Sequence, residues 1–161
     1  MQKRIVSFIQ KHYVCTLCCT ENNMPWANAF YYAFDVPNNR LLYISSDKTR
    51  HAHLTIQNPK VAGTIFVPTR FNPSLQGLQF TGSAQILTGE EEKTARAVYK
   101  ESFTNELIDK LPIWEVKLEY VRLIDRSYGP FATMVWKLGE PEVDDLCCQQ
   151  RRKTFGRFHQ A

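Results

Sequence analysis

A split antiparallel β-barrel of about six strands with flanking helices is the fold class this sequence predicts, mainly β with helical additions. Three observations carry the prediction. Short stretches of strand composition recur along the chain. The first three, residues 13–20, 26–35 and 40–46, are joined only by the turn-forming segments ENNMP and VPNN. That excludes a doubly wound parallel sheet, because parallel neighbours need a long crossover. Helical periodicity is confined to the start, the middle and the later third of the chain.

Residues 2–12 set Ile5, Phe8 and Ile9 on one stripe with polar residues elsewhere, an amphipathic helix. YVCTLCCT follows as a strand whose alternation puts Cys15 and Cys19 on one face and Cys18 on the other. WANAFYYAFD and RLLYISS continue as strands two and three of an antiparallel meander. DKTRHAHLTIQNP opens a helix that Asp47 or Thr49 can cap. Ala52, Leu54 and Ile56 give it apolar character, and Asn58-Pro59 ends it, because proline disfavours a helical residue before it. KVAGTIFV (60–67) is the fourth strand, and PTRFNPS (68–74) is a loop bounded by two prolines. LQGLQFTGSAQIL (75–87) is the fifth, with Gly77 and Gly82 as candidate bulges or points of close backbone approach. GEEEKTARAVYKESF carries acids in its first turn and bases further on, as a helix dipole favours. IWEVKLEYVRLID (113–125) alternates Trp114, Val116, Leu118 and Tyr120 against Glu115, Lys117 and Glu119, a strand with one wet face. ATMVWKL (132–138) is a candidate for one strand more.

The 161 residues suit one folded body, residues 1–146, followed by a basic tail, residues 147–161. Arg151, Arg152, Lys153 and Arg157 account for the whole net charge of +4, leaving 16 bases against 16 acids in residues 1–146. Such a tail could touch nucleic acid, but it lacks the length and aromatic interleaving of a dedicated binder, so a solvated terminus is expected instead. No apolar run approaches the roughly 18 residues of a spanning helix, and the N-terminal stretch lacks the pattern of a signal peptide. A cytoplasmic location is therefore expected. Five cysteines, an odd number, argue against a disulfide framework. Cys15 and Cys18 have C-x-x-C spacing, yet the stretch has strand composition and no glycine, so packed thiols are expected over a metal or redox pair.

The chemistry gathers in YISSDKTRHAHL, where an apolar strand runs into hydroxyls and cations at a helix start. The first-turn N–H groups of a helix have no partners within it, and with the dipole they attract an anion. Arg50 offers a forked donor for phosphate oxygens, His51 offers another, and Ser45 and Thr49 add hydroxyls. Two readings stay open on composition: a cradle for a terminal phosphate, or ordinary capping with solvated cations.

ANAFYYAFD, LLYISSDKTRHAHL…NPKVAGTI and GLQFTGSAQIL resemble the pyridoxamine-phosphate-oxidase-like FMN-binding split barrel. The chain is more similar still to its YhbP-type branch, through ANAFY, KTRHA, VAGT, QFTG, GEE and PIWEVKL, in order over residues 5–137. The resemblance implies a homodimer with FMN in a cleft between subunits. It implies that Asn28, Ala29, Phe30 and Tyr31 lie along the flavin ring. It assigns the phosphate to Ser45, Ser46, Thr49, Arg50 and His51, and offers Gln76 and Gln79 for the ring or ribityl chain. The sequence departs from the oxidases in having Arg50-His51 for their Arg-Lys and no arginine near Asn28. The C-terminal Trp and Arg motif that grips pyridoxal phosphate is not recognisable either, with Trp136 a remnant of it or simply core, so vitamin B6 oxidation is not implied.

Three functions compete. The first is an FMN-dependent oxidoreductase, with a nicotinamide nucleotide as a possible donor. The flavin would carry the chemistry, with Tyr31, Tyr32 and His53 only polar neighbours and Arg70 on a loop that could line an entrance. The second is a non-catalytic flavin or haem module, for which His12, His51, His53 and His159 are candidate axial ligands. The third is a partner role through the basic tail.

Overall fold

In the computed structural model, which describes residues 1–68, 70, 75–129, 132–141 and 147–148, helix α1 (Lys3–Lys11) leads into strands β1 (Val14–Glu21) and β2 (Met24–Tyr31). β3 (Ala33–Asp35), β4 (Arg40–Ile44), α2 (Arg50–Gln57), β5 (Lys60–Phe66) and β6 (Gln76–Ile86) follow. Then come α3 (Gly89–Ser102), β7 (Ile113–Asp125), a 3-10 turn (Arg126–Tyr128), β8 (Ala132–Lys137) and the short β9 (Cys147–Cys148). The strand at 132–138 anticipated from sequence is therefore present as β8, while residues 149–161 of the basic tail lie outside the described residues.

All the strand pairs are antiparallel, in the order β2-β1-β5-β6-β7-β4-β3, with β8 on β7 and β9 on β8. β2 and β3 stand at opposite ends of this order, yet only Tyr32 separates them in the chain. The sheet therefore curls on itself, and one stretch of chain serves both of its ends. The meander expected of the first three strands is accordingly broken. Residues 24–31 pair with β1, and residues 33–35 pair with β4. Tyr32 holds the break: it is buried, its hydroxyl donates to Ile9 O at 2.9 Å, and its N–H donates to Tyr13 O at 2.9 Å.

The barrel interior is filled from several elements. Ile5, Phe8 and Ile9 of α1 share one buried cluster with Cys15, Leu17, Tyr43, Phe80 and Trp114, so the predicted apolar stripe of α1 is its buried face. A smaller cluster lies under α3, where Ala95 and Tyr99 pack on Leu42 and Ile113. Burial of this apolar surface is the main favourable term in folding.

β6 and β7 lose register between Thr81 and Gly82, which oppose Tyr120 and Leu118 and leave Glu119 as the extra residue. A bulge reverses which face of a strand looks inward. Trp114, Val116 and Leu118 are buried before it, whereas Val121 and Leu123 are buried after it, and Tyr120 is only half-buried. Gly82 is required at this step, because a Cβ there would lie 2.3 Å from Lys117 O. Gly77, the other candidate, sits in regular pairing with Ile124. The face of β7 expected to be wet is also drier than its sequence suggests, since Glu115 is buried in an ion network with Arg40.

Cys15 and Cys19 are buried on one face and Cys18 is half-buried on the other, with all three thiols free. Burial pushes the Cys15 thiol up to about 12 and raises that of Cys19, which leaves both as packed, unreactive groups. Among the described residues no cluster of His, Cys, Asp or Glu could hold a metal ion, and no helix is long and apolar enough to cross a membrane.

Candidate functional site

The end of β4 and the start of α2 form a corner whose backbone is pinned from outside. Ser45 N–H donates to Pro112 O at 3.2 Å, and Ser45 O accepts the indole N–H of Trp114 at 3.0 Å. Thr49 is the cap: its Oγ1 accepts from Ala52 N at 3.4 Å while its hydroxyl donates to Ser46 O at 2.9 Å. Ser46 Oγ accepts from Lys48 N at 3.2 Å.

His51 does something the sequence did not suggest. Its ring is buried, with Nε2 2.8 Å from Ser45 Oγ and 3.0 Å from Thr49 Oγ1. Both contacts fall on the one ring nitrogen, so Nε2 ties Ser45 to Thr49, with donor and acceptor set by the tautomer. Burial lowers the His51 pKa below its ordinary value. His51, read from sequence as one more donor and a charged one where a phosphate raises its protonation, splints Ser45 and Thr49 from within. Ser46 and Arg50 remain for a ligand, together with the N–H groups of Arg50 and His51, which have no acceptor within the helix.

The stability consequence has a definite sign. A histidine whose folded pKa lies below the unfolded value of 6.5 contributes fully above that value, and the contribution is lost as pH falls through the lowered folded value. Urea unfolding should therefore show stability declining below about pH 6.5. His51→Gln, which keeps an N–H donor but cannot titrate, should flatten part of that decline. An unchanged pH slope in the variant would show that His51 is not the group responsible. Part of the slope will persist, because burial and neighbouring Lys11 lower His12 in the same way.

Strand β2 crosses the corner. Alternation places Trp26, Asn28 and Phe30 on the face towards α2. The Arg50 guanidinium lies 4.2 Å above the Trp26 ring, and Phe30 meets His51 edge to face with centroids 4.9 Å apart. Between them Asn28 Oδ1 is buried with no hydrogen-bond partner among the described residues. Ala29 and Tyr31 face the other way and are exposed, Tyr31 stacking on Tyr13.

The two glutamines lie apart. Gln79 is exposed on the outer face of β6, in a groove of about 400 Å³ that includes Thr16, Cys18, Thr64 and Tyr120. Through the register it shares one cross-strand row with Ala29, by way of Thr16 and Thr64, three strand spacings or roughly 14 Å away. Gln76 donates to Asp125 Oδ2 at 3.1 Å, beside α1. One chain therefore joins Asn28 and Phe30 to Ser45, Ser46, Thr49, Arg50 and His51, and leaves Gln76 and Gln79 elsewhere. Sequence reasoning missed Trp26, although an aromatic two residues before Asn28 shares its strand face.

The residues present fit a phosphate-bearing ring compound. Arg50 has no carboxylate partner among the described residues, and stacking on Trp26 holds its guanidinium without using its N–H groups. The unsatisfied Asn28 oxygen offers an acceptor for a ring N–H.

Comparison with known proteins supplies a family. The family model described as pyridoxamine 5'-phosphate oxidase matches residues 1–125. A UPF0306 protein of Pasteurella multocida is 56% identical over 140 residues, covering 87% of this chain and 94% of that protein. A solved haem-binding protein from Mycobacterium smegmatis aligns with a TM-score of 0.65 at 20% identity, over 78% of this chain and 52% of the other, so this chain spans about half its length. A FAD-binding protein from Mesorhizobium loti aligns with a TM-score of 0.60 at 14% identity, over 75% of this chain and 92% of the other. At these identities the likeness shows a shared split-barrel fold alone.

Proposed function

The chain belongs to the pyridoxamine 5'-phosphate oxidase family, and from that premise we propose that it binds FMN, with the phosphate at the start of α2 and the ring along β2. The observation that carries the proposal is Arg50, laid on Trp26 at a helix N-terminus with no carboxylate partner among the described residues, next to the unsatisfied oxygen of Asn28. The Mesorhizobium loti protein of the same fold is a FAD-binding protein, which is in keeping with a flavin here.

Ser46, Arg50 and the first amides of α2 hold the phosphate, while Ser45, Thr49 and His51 brace the turn. Asn28 and Phe30, with the backbone of Ala29 and Tyr31, line the ring. The proposed functional unit is a homodimer, and the exposure of Gln79 on the outer sheet face supports this reading, since from there it would serve the ligand of a second copy. The exposed Val14, Met24, Trp26, Tyr31 and Phe66 supply apolar surface for that contact. When bound, FMN supplies two-electron redox chemistry, and the activity proposed is that of an oxidoreductase with a nicotinamide nucleotide as donor. The free thiols of Cys15, Cys18 and Cys19 suit a reducing compartment, and the proposal places the protein in the cytoplasm.

Visible absorption and fluorescence titrations with FMN and with haemin test the cofactor, followed by NADH and NADPH as donors to the loaded protein. Saturable flavin binding with no Soret band at stoichiometric haemin is the result expected. A Soret band without flavin binding would replace FMN by haem. The Mycobacterium smegmatis protein is haem-binding. Here, however, His51 Nε2 is engaged and His12 Nε2 is buried, while His159 lies outside the described residues. His53 is the one exposed histidine among the described residues.

Trp26 has its own test. Trp26→Leu removes the shelf under Arg50 and should weaken FMN about 2–5-fold, the equivalent of about 0.5–1 kcal/mol, with riboflavin unaffected. Equal weakening of both ligands would show that Trp26 serves the ring and not the phosphate grip.

A further inference from the structure

We propose that the groove between α1 and the far ends of β6 and β7 is a second anion site, one that takes a phosphate group on a small molecule. It stands at the other end of the barrel from the α2 corner. β6 runs from Gln76 in the groove to Ile86, which opposes Trp114 beside the corner, a span of roughly 30 Å.

α1 carries Lys3, Arg4 and Lys11 and no acid. Arg4, Ser7 and Lys11, spaced i, i+3 and i+7, fall on one stripe and form one bank of a groove of about 280 Å³. Gln76, Asp125 and Tyr128 stand on the other bank. The Arg4 guanidinium lies 4.0 Å above the Tyr128 ring, a contact that orders it and leaves its N–H groups free. Asp125, the one acid lining the groove among the described residues, is already used. Its Oδ1 accepts from Ser127 N at 3.0 Å and from Ser127 Oγ at 2.6 Å, and its Oδ2 accepts from Gln76 at 3.1 Å.

Neither Arg4 nor Lys11 has a carboxylate partner among the described residues. Lys60, Lys93, Arg96, Lys100 and Lys137 all do. Two unpaired cations with a hydroxyl between them match the charge and the several acceptor oxygens of a phosphate better than a single carboxylate. The volume suits a phosphate with a few further atoms rather than a dinucleotide.

The site is tested in an Arg50→Ala background, which silences the corner, by following backbone amide NMR shifts as inorganic phosphate replaces chloride at constant ionic strength. Saturating shifts at Ser7, Lys11 and Tyr128 are expected. Affinity should fall at least about fivefold in Arg4→Gln and in Lys11→Gln, a lost charge-assisted hydrogen bond in each case. It should be unchanged in Lys93→Gln, which alters a paired cation on α3. The spectra report directly whether each variant is folded, and Lys11→Gln stands in if Arg4→Gln disturbs α1. Shifts that do not saturate, that appear equally around Lys93, or that survive both groove substitutions would overturn the site.

Discussion

Arg40→Met should cost the fold about 3–5 kcal/mol at neutral pH, the largest loss expected of any single change discussed for this protein. Arg40 Nε lies 2.7 Å from Asp35 Oδ2, and its Nη1 lies 2.9 Å from Glu115 Oε2, with all three side chains no more than 8% exposed. Asn38 donates to the same Asp35 oxygen at 2.9 Å, and Gln85 donates to the second Glu115 oxygen at 2.8 Å. Burial opposes the guanidinium charge, but the hydrogen bonds to Glu115 and Asp35 outweigh it and hold the group protonated above its ordinary range. Removing the cation leaves two carboxylates buried without a counter-charge.

Urea unfolding of wild type and variant at one protein concentration and about pH 7.5 measures the loss. A loss under about 1 kcal/mol would show that the network contributes little. Replacing all three residues by Leu, Met and Leu should recover most of the loss, since apolar packing substitutes well for a buried ion cluster.

Glu115 also marks the limit of what the sequence discloses. Alternation along β7 predicts an exposed Glu115, and nothing local reveals that Arg40, 75 residues away, reaches it from the neighbouring strand β4. Periodicity was sufficient where one element faces one environment. The stripe Ile5, Phe8 and Ile9 of α1, the split of Cys15 and Cys19 from Cys18 in β1, and the Thr49 cap all stand as predicted. It failed where a strand changes partner or phase. Residues 26–35 look like one strand because nothing at Tyr32 is a turn former, yet the buried hydroxyl bonded to α1 divides it. Gly82 signals the bulge, but not that it turns Val121 and Leu123 inward.

The site was legible to a similar depth. Helix-start chemistry located the corner and its cap. It did not distinguish residues that face a ligand from residues that hold the turn, because Arg50 and His51 are adjacent cations in sequence and differ only in direction. Arg50 points out onto Trp26, whereas His51 points in to two hydroxyls. Ile56, whose apolar side chain helped to identify α2, is likewise exposed.

The corner is a flavin site only if Arg50 grips the phosphate. If Arg50 and the first amides of α2 hold the FMN phosphate, Arg50→Ala removes a charge-assisted hydrogen bond and leaves every ring contact in place. The expected loss is about 1.5–3 kcal/mol, or roughly 10–150-fold in FMN affinity. Because Arg50 is exposed and has no structural ion pair among the described residues, its removal should leave stability within about 0.5 kcal/mol of wild type, so the effect is not one of misfolding. Riboflavin has the same ring without the phosphate, and its affinity should not move. The decisive measurement is the pair of dissociation constants, FMN and riboflavin, by flavin fluorescence quenching for wild type and Arg50→Ala side by side. A wild-type preference for FMN that collapses in the variant is the predicted result; equal losses for both ligands, or no preference in wild type, would contradict it.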